Sequence, residues 1–598
     1  MKNTAEKRKV SYLISMMKIT LLVVIFFRPF FDGFSSPTFN LASDLIFSGL
    51  LVLVILKFYK KLDFSYAQIS FWLFVLLCLF FIPLWPLRYK TLNEFSYLLS
   101  LLSVWILFKT VFNEENLHTV VQTMIFGLLI IIVYGIHQYF WGLESTRQML
   151  MQNPEMMKNI SETYLDRIAS NRIFSTFVYP NTFAGYLLIL YPVVFFVTFS
   201  VKVKRILRII NGLILAMIMP VFAATESMGG WFCFLAVSML MLLFLLVPGR
   251  HYIYACIILL LMSAFLIYFG VKTGLIPKIG SLTDRINYWK AAFDIFKNHP
   301  VIGVGPGNFS QFYLQFKVPG AMEARFAHNL FFEVLTSTGI AGCFLFFSAI
   351  FFFVKQNLKK FLSSGNYLIA GFVFGIIGFF LHSLVDFDYA DAAITTIIMS
   401  FAGLIECTSL PEKNRFGGLT KLIAGSIIIL IVFATVIELK AWRVGRIIES
   451  VKTGKIQGNP ILVLEKATLI FPEPEIFFIQ GEIFKYFYYE TKDTDFLEKA
   501  IAAYRKAAEI NAFSPKYHRT LAMLLTEIKR YEEAEKEFIK TLEKYPTKAL
   551  YNFELGLFYS KTGKTDLAKI YLEKGEKLPP SSKDEIKLIE EYKSGKSF

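Results

Sequence analysis

Before Lys440 this chain is built from apolar runs of about 18–22 residues, the length at which a helix crosses the hydrocarbon core of a bilayer. Inside lipid the backbone has no water to bond, so such runs must be helices that satisfy their own peptide groups. They fall at roughly 10–30, 40–57, 69–87, 92–112, 119–140, 182–200, 206–224, 230–248, 251–270, 330–354, 366–385, 390–407 and 419–439. Only Thr225-Glu226-Ser227 separates the seventh run from the eighth, which makes that division the hardest to read. Hydrophobic residues make up 55% of the chain and charged residues 18%, whereas a soluble domain carries about 25% charge. The expectation is an all-α protein. A polytopic transmembrane helical bundle of about 12–13 spans occupies 1–440, and a soluble helical domain occupies 441–598.

The net charge is +16, but from residue 451 onward 25 Lys and Arg face 23 Asp and Glu, which leaves +14 to the membrane part. A nucleic-acid binder carries its basic surplus on a soluble face. Here the surplus flanks apolar runs, so it reads as topology and nucleic acid is not expected as a partner. With the N-terminus in the cytoplasm, the inner connections hold Lys57, Lys60, Lys61, Lys109, Lys202, Lys204, Arg205, Arg208, Arg250, Lys355, Lys359, Lys360, Lys413, Arg415 and Lys421. The short outer loops hold only Arg28, Arg88 and Lys90. That pattern puts the long loops 141–181 and 271–329, and the C-terminal domain, on the outer side of a cytoplasmic membrane. The N-terminus reads as an uncleaved first span. The five cysteines, Cys78, Cys233, Cys256, Cys343 and Cys407, lie in or beside apolar runs without metal-ligand spacing, so neither a disulfide framework nor a metal site is expected.

Past residue 441 the sequence repeats. Leu-Glu-Lys-Ala ends at Ala467 and Ala500, Tyr-Glu-Glu-Ala at Ala534 and Asp-Leu-Ala at Ala568, at intervals of 33, 34 and 34 residues. This resembles the tetratricopeptide repeat, whose helix pairs recur every 34 residues. The best copy is 549–580, with Leu555-Gly556, Tyr559, Gly563, Ala568 and Pro580 in the usual places. Such a stack offers a concave surface to a protein partner.

Loop 271–329 carries Lys272, Lys278, Arg285, Lys290, Lys297, Lys317 and Arg325 against Asp284, Asp294 and Glu323. An outer loop this basic runs against the positive-inside bias, and an anionic substrate is the simple reason. Pro300-Val-Ile-Gly-Val-Gly-Pro-Gly-Asn308 is a Gly-rich turn without the Gly-Lys-Ser/Thr of a nucleotide loop, and a plain connector reads equally well. His328-Asn329 follows at the mouth of the tenth span, where a histidine serves either as a polar anchor or as a proton acceptor. Gly339 and Gly342, three apart on one helix face, suit close helix packing. Arg167 and Glu226 are expected to face water, His299 to cap a short helix, and His382 to be a helix-end polar residue. Trp85, Trp141 and Trp289 fit interfacial anchors. Trp289, one turn from Arg285, also suits stacking against a sugar.

His328-Asn329-X9-Gly339-X-X-Gly342 resembles the signature of the bacterial O-antigen ligase and O-antigen polymerase superfamily. Ser281-Leu-Thr-Asp-Arg285-Ile-Asn-Tyr-Trp289-Lys with Gly303-Val-Gly-Pro-Gly-Asn-Phe309 is similar to that family's extracytoplasmic loop. Arg172-Ile-Phe-Ser-Thr-Phe-Val-Tyr-Pro180-Asn181 and His382-Ser-Leu-Val-Asp386-Phe-Asp388 resemble its other outer-face segments. Together they cover roughly 170–400 in the family's order. Two positions depart from it: Cys343, where Gly, Thr or Tyr is usual, and Ser227-Met228-Gly229, where many members have Ser-Arg-Gly.

The resemblance implies a C-type glycosyltransferase fold. The implied enzyme moves a glycan from a polyprenyl diphosphate to an acceptor hydroxyl without metal, nucleotide or other cofactor. It implies His328 as base, with Arg285 and Arg172 as cations for the departing diphosphate. Arg325, Arg88, Trp289 and Asn329 are candidate substrate contacts. Asp386 and Asp388 either orient His328, position the acceptor, or are simply solvated. The acceptor is a lipid, a glycan or a protein, so ligase, polymerase and protein O-oligosaccharyltransferase all fit. A transporter or flippase for the same lipid is the reading from another class, but transporters place charges near the midplane, and here only Lys18 sits well inside a span.

Overall fold

The computed structural model describes residues 2–31, 37–59, 62–85, 87–153, 160, 162–247, 251–254, 256–257, 280–363, 365–407 and 417–595. The ninth expected span, most of 251–270, and Lys272 and Lys278 of the basic loop lie outside the described residues.

The described elements are helices. They are α1 Lys2–Phe27, α2 Pro37–Phe58, α3 Tyr66–Phe81, α4 Arg88–Val111, α5 Leu117–His137, α6 Leu143–Gln152, α7 Glu162–Ala169, α8 Pro180–Phe199, α9 Arg205–Ala224 and α10 Met228–Leu246. The chain continues with α11 Gly280–Asn298, α12 Phe309–Phe316, α13 Leu330–Ser363, α14 Tyr367–His382, α15 Ala392–Cys407 and α16 Gly417–Lys452. The C-terminal array is α17 Pro460–Ile470, α18 Pro474–Thr491, α19 Thr494–Ile510, α20 Pro515–Glu527, α21 Tyr531–Lys544, α22 Ala549–Lys561, α23 Thr565–Lys577 and α24 Lys583–Lys593. Among the described residues ten helices are long and apolar enough to cross a membrane, and α14 and α15 are shorter apolar helices. These twelve coincide with twelve of the thirteen expected runs. The doubtful break is real: Glu226 takes a left-handed backbone with φ 51°, and the Ser227 hydroxyl caps α10 by accepting the Gly230 N–H at 3.2 Å.

The chain divides into two compact units. The first comprises Met1–Leu73, Tyr97–Pro277 and Phe346–Val432. Its tightest packing is α8 against α14, where a Cβ on Gly375 would stand 2.6 Å from the Ile189 carbonyl, so only a residue without a side chain lets the two backbones meet. The helix ends of this unit sort as alternating crossings require. At one end Lys109 reaches the Asp63 carbonyl at 2.9 Å and Glu406 at 3.4 Å, Lys360 reaches the Ile405 carbonyl at 3.2 Å, and Lys18 reaches Asn116 at 2.6 Å. At the other end Arg28 bonds Asn40 at 2.6 Å, and Thr176 bonds the Pro29 carbonyl at 2.7 Å. Lys18, for all its place within a span, therefore bonds among the first set of ends.

The second unit comprises Phe74–Ser96, Lys278–Leu345 and Phe433–Phe598. Its C-terminal array follows the period read from the sequence. Ala467, Ala500 and Ala534 are fully buried and Ala568 nearly so, as expected of residues whose small side chains let paired helices approach. Pro460, Pro474 and Pro515 each open a helix, where the missing N–H costs nothing. The array and the basic loop pack together within this unit. Phe513 packs against Phe312 with ring centroids 4.3 Å apart and planes tilted by 30°, Tyr545 and Lys548 bond Glu323 at 3.0 and 3.1 Å, and Thr547 bonds the Lys317 carbonyl at 3.2 Å.

Candidate functional site

In the second unit the Gly-rich turn after α11 is bound edge-on to α13. The amides of Val304 and Gly305 donate to the carbonyls of Thr336 and Ser337 at 2.9 and 2.8 Å, and those of Ile340 and Ala341 donate to Pro300 and Val301 at 2.9 and 3.2 Å. For these bonds to form the helix must open, and it opens at Gly339, whose φ of 62° and ψ of −162° are not helical. Gly339 is thus a helix break, not the face-packing glycine expected. A Cβ there would lie 2.4 Å from the backbone of Val301. Trp85 and Thr91 complete the cradle, donating to the carbonyls of Ile302 and Pro306 at 3.1 Å each. Trp85 is 2% exposed, so it pins this turn and is not an interfacial anchor. His299 ends α11 with its N–H on the Ile295 and Phe296 carbonyls, and burial pushes its imidazole pKa down.

His328 lies two residues before the first residue of α13. Asn329 caps that helix, its side-chain oxygen accepting the Phe332 N–H at 3.2 Å, and the Glu333 carboxylate reaches back to the Ala327 N–H at 2.8 Å. This pair of caps holds His328 in a left-handed backbone, φ 51°. From α11, Tyr288 lays its ring against His328 at 5.2 Å, and Trp289 stacks on Phe332 at 6.1 Å. Arg285 stands one turn earlier on the same helix, half-buried. Arg325 is exposed, its guanidinium over Phe326 at 5.2 Å, and it acts electrostatically with Lys90 on Glu94. Arg88 is exposed at the start of α4.

The first unit holds the remaining candidates. Arg172 donates its Nε to the Thr225 carbonyl at 2.9 Å and an Nη to Asn181 at 2.7 Å; Asn181 in turn donates to Asp386 at 2.7 Å. This relay orients the guanidinium through an amide from a carboxylate 205 residues further along the chain. Asp388 and His382 are both fully buried and bonded at 2.6 Å. Burial pushes the Asp388 carboxyl above the usual carboxylate range, with the His382 imidazole pulling it back. A Cβ on Gly185 would strike that carboxylate, so the pair sits against bare helix backbone. Arg167 does not simply face water: its guanidinium lies 4.5 Å from the Tyr179 ring centroid and it bonds the Val178 carbonyl. Glu226 is exposed, as expected.

The structure therefore brings His328, Asn329, Arg285 and Trp289 together in one unit, and Arg172 and Asp386 in the other. Asn181, Glu333, Lys90 and Glu94 join them without having been singled out by the sequence. Lys90 and Glu94 had a signal, opposite charges four apart at the start of a helix. Glu333 had one as well, an acid in the first turn after Asn329. Among the described residues no three His, Cys, Asp or Glu side chains gather where they could hold a metal ion.

Residues 212–347 match the family described as O-antigen ligase, and residues 549–582 match the family described as tetratricopeptide repeat. No curated protein matches the chain.

Proposed function

We propose that this chain, which carries a domain of the O-antigen ligase superfamily and a C-terminal tetratricopeptide repeat, is a membrane glycosyltransferase of the ligase type. It takes a glycan from a polyprenyl diphosphate and passes it to an acceptor hydroxyl at the outer face of the cytoplasmic membrane. The observation that carries this reading is the α11–α13 junction, where His328 is held by two helix caps and covered by Tyr288, a residue one turn from Arg285 on α11.

Each group has a chemical task. His328 accepts the proton as the acceptor oxygen attacks the anomeric carbon. The bond from that carbon to the diphosphate breaks, and charge builds on the leaving oxygens. Guanidinium groups stay charged and bind phosphate oxygens in pairs, which suits Arg285 and, by the family resemblance, Arg172 to stabilising that charge. The Asn181–Asp386 relay keeps Arg172 aimed. Arg325, Arg88 and Trp289 are secondary contacts. In this topology the N-terminus is cytoplasmic and the repeat array is extracytoplasmic, and the sorting of helix ends in the first unit supports alternating crossings. The array recruits a protein partner or acceptor. Polymerase and protein O-oligosaccharyltransferase use the same donor chemistry and differ in the acceptor alone.

The test is surface-glycan laddering together with carrier-linked intermediates in cells expressing His328→Ala, Arg285→Ala or Arg172→Ala. Each variant is expected to accumulate the intermediate and lose product. Full activity in all three would refute the proposed site. The acceptor found attached to the product separates ligase from polymerase and oligosaccharyltransferase.

A further inference from the structure

Helix α5 does not stop where a span would. It runs through a π-turn at Gln138–Gly142 into α6, giving a rod of 39 residues from Glu114 to Gln152. At 1.5 Å per residue that is about 58 Å, against a hydrocarbon core of about 30 Å. The end of the rod therefore projects beyond the lipid. A π-turn inserts an extra residue into a helix and is frequent at functional positions.

Beside this turn opens a cavity of about 410 Å³. Tyr134, His137 and Trp141 line it as a row of rings, with centroid separations of 6.3 and 5.8 Å. The rim includes Ser145 and Thr146. Its floor is Phe174 and Ser175, whose amides both donate to Gln138 at 2.8 Å, two and three residues past Arg172. Tyr134 is 48% exposed and Trp141 63%, so both rings have surface open to a ligand. The neighbouring Phe140 is as exposed as Trp141 but does not line the cavity. Anchoring to the interface explains Phe140; it does not explain a concave row of rings with hydroxyls at its edge.

The apolar C–H face of a sugar ring lies flat on the electron-rich face of an aromatic ring, while the sugar hydroxyls need polar partners at the edge. An acyl chain uses neither the hydroxyls nor the row. We propose that this cavity is a saccharide subsite that grips the glycan of the lipid-linked donor by stacking on Tyr134, His137 and Trp141. The inference rests on the glycosyltransferase reading and names a site within it, away from the reacting bond.

The experiment uses the full chain in nanodiscs, with polyprenyl-diphosphate glycan extracted from the native host as donor. Trp141→Ala and Tyr134→Ala are each expected to raise KM for the donor about tenfold while kcat stays within about twofold, a factor in keeping with one aromatic contact. Trp141→Phe restores most of the loss, and Phe140→Ala changes neither constant. Ser145→Trp, an exposed position that would plug the cavity, raises KM without depending on the fold of the Trp141 variant. Wild-type KM in Trp141→Ala, Tyr134→Ala and Ser145→Trp overturns the subsite, as does an equal rise in Phe140→Ala, which would mark a membrane anchor. If His328→Ala abolishes transfer while these KM values stay unchanged, only the subsite fails. If His328→Ala transfers normally, the glycosyltransferase reading fails and takes the subsite with it.

Discussion

Gly339→Ala separates the two meanings a glycine can have in this helix. Were Gly339 a packing glycine within regular α-helix, alanine would cost little and would remove backbone entropy from the unfolded chain. In the structure the residue holds φ 62° and ψ −162°, a region almost closed to any residue with a Cβ. Such backbone strain costs about 1–3 kcal/mol. The new Cβ would also lie 2.4 Å from the carbonyl carbon and oxygen of Val301 and 2.7 Å from the amide of Ile302, all backbone atoms that cannot rotate aside. Overpacking of that kind costs about 1–3 kcal/mol. One backbone shift relieves part of both, so the terms do not add fully, and about 3–4 kcal/mol is expected. The shift breaks the bonds from Val304, Gly305, Ile340 and Ala341, so their amides should exchange with solvent about 10²–10³ times faster. Hydrogen-exchange mass spectrometry over 300–308 and 336–341 reads this directly. Gly425→Ala in α16, where a Cβ meets nothing within 4 Å, is the control and is expected to be neutral or to stabilise by up to about 1 kcal/mol. Gly303→Ala combined with Gly339→Ala should cost less than the two singly, because both Cβ atoms press on the same junction. Exchange in Gly339→Ala within about threefold of wild type would refute the helix break.

Arg172→Lys keeps a charge but loses the fork that bonds Thr225 and Asn181, and transfer is expected to fall by about 10²–10³ with little change in donor KM; wild-type kcat would remove Arg172 from the mechanism. Phe513→Ala removes the ring contact with Phe312 and is expected to loosen the repeat array from the loop by about 1–3 kcal/mol. Limited proteolysis within 309–323 checks it, an unchanged cutting rate counting against the packing. Glu585, though buried, accepts bonds from the Leu550 and Ser581 amides, the Ser581 hydroxyl and Lys548. Burial raises its pKa, those partners lower it more, and the net value lies below the ordinary 4.5. A carboxyl depressed by folding contributes stability above its unfolded pKa and loses it as pH falls through the folded one. Protection of the amides of 549–593 should therefore drop as pH falls below about 4.5, and Glu585→Gln should flatten that dependence; an identical acid profile in the variant would assign the transition to other groups.

The spans were legible because each satisfies its own backbone within a continuous stretch, so length and hydropathy suffice. The repeat was legible because Ala467, Ala500, Ala534 and Ala568 recur at a fixed period that the packing of paired helices imposes. Trp85 misled because a tryptophan beside an apolar run looks the same whether its indole faces the interface or, as here, reaches the Ile302 carbonyl 217 residues away. Arg167 misled for the same reason: its partner Tyr179 lies across a turn that spacing cannot fold. Trp141 was legible as an exposed aromatic, but the cavity beside it depends on a π-turn and on the strand of chain pinned by Gln138.

Long apolar runs and a 34-residue period determined by themselves that this chain crosses a membrane many times as helices and ends in a helical array, since both are properties of contiguous sequence. The tertiary structure alone decided what the signature residues do. His328-Asn329 became a capped left-handed corner, Gly339 the point where a helix opens to receive the Gly-rich turn, and Asp386 the far end of a relay to Arg172. Each of these depends on which distant backbone or side chain arrives beside it. That is settled by the packing of the helices and the hydrogen bonds their ends must find, and no local pattern records it.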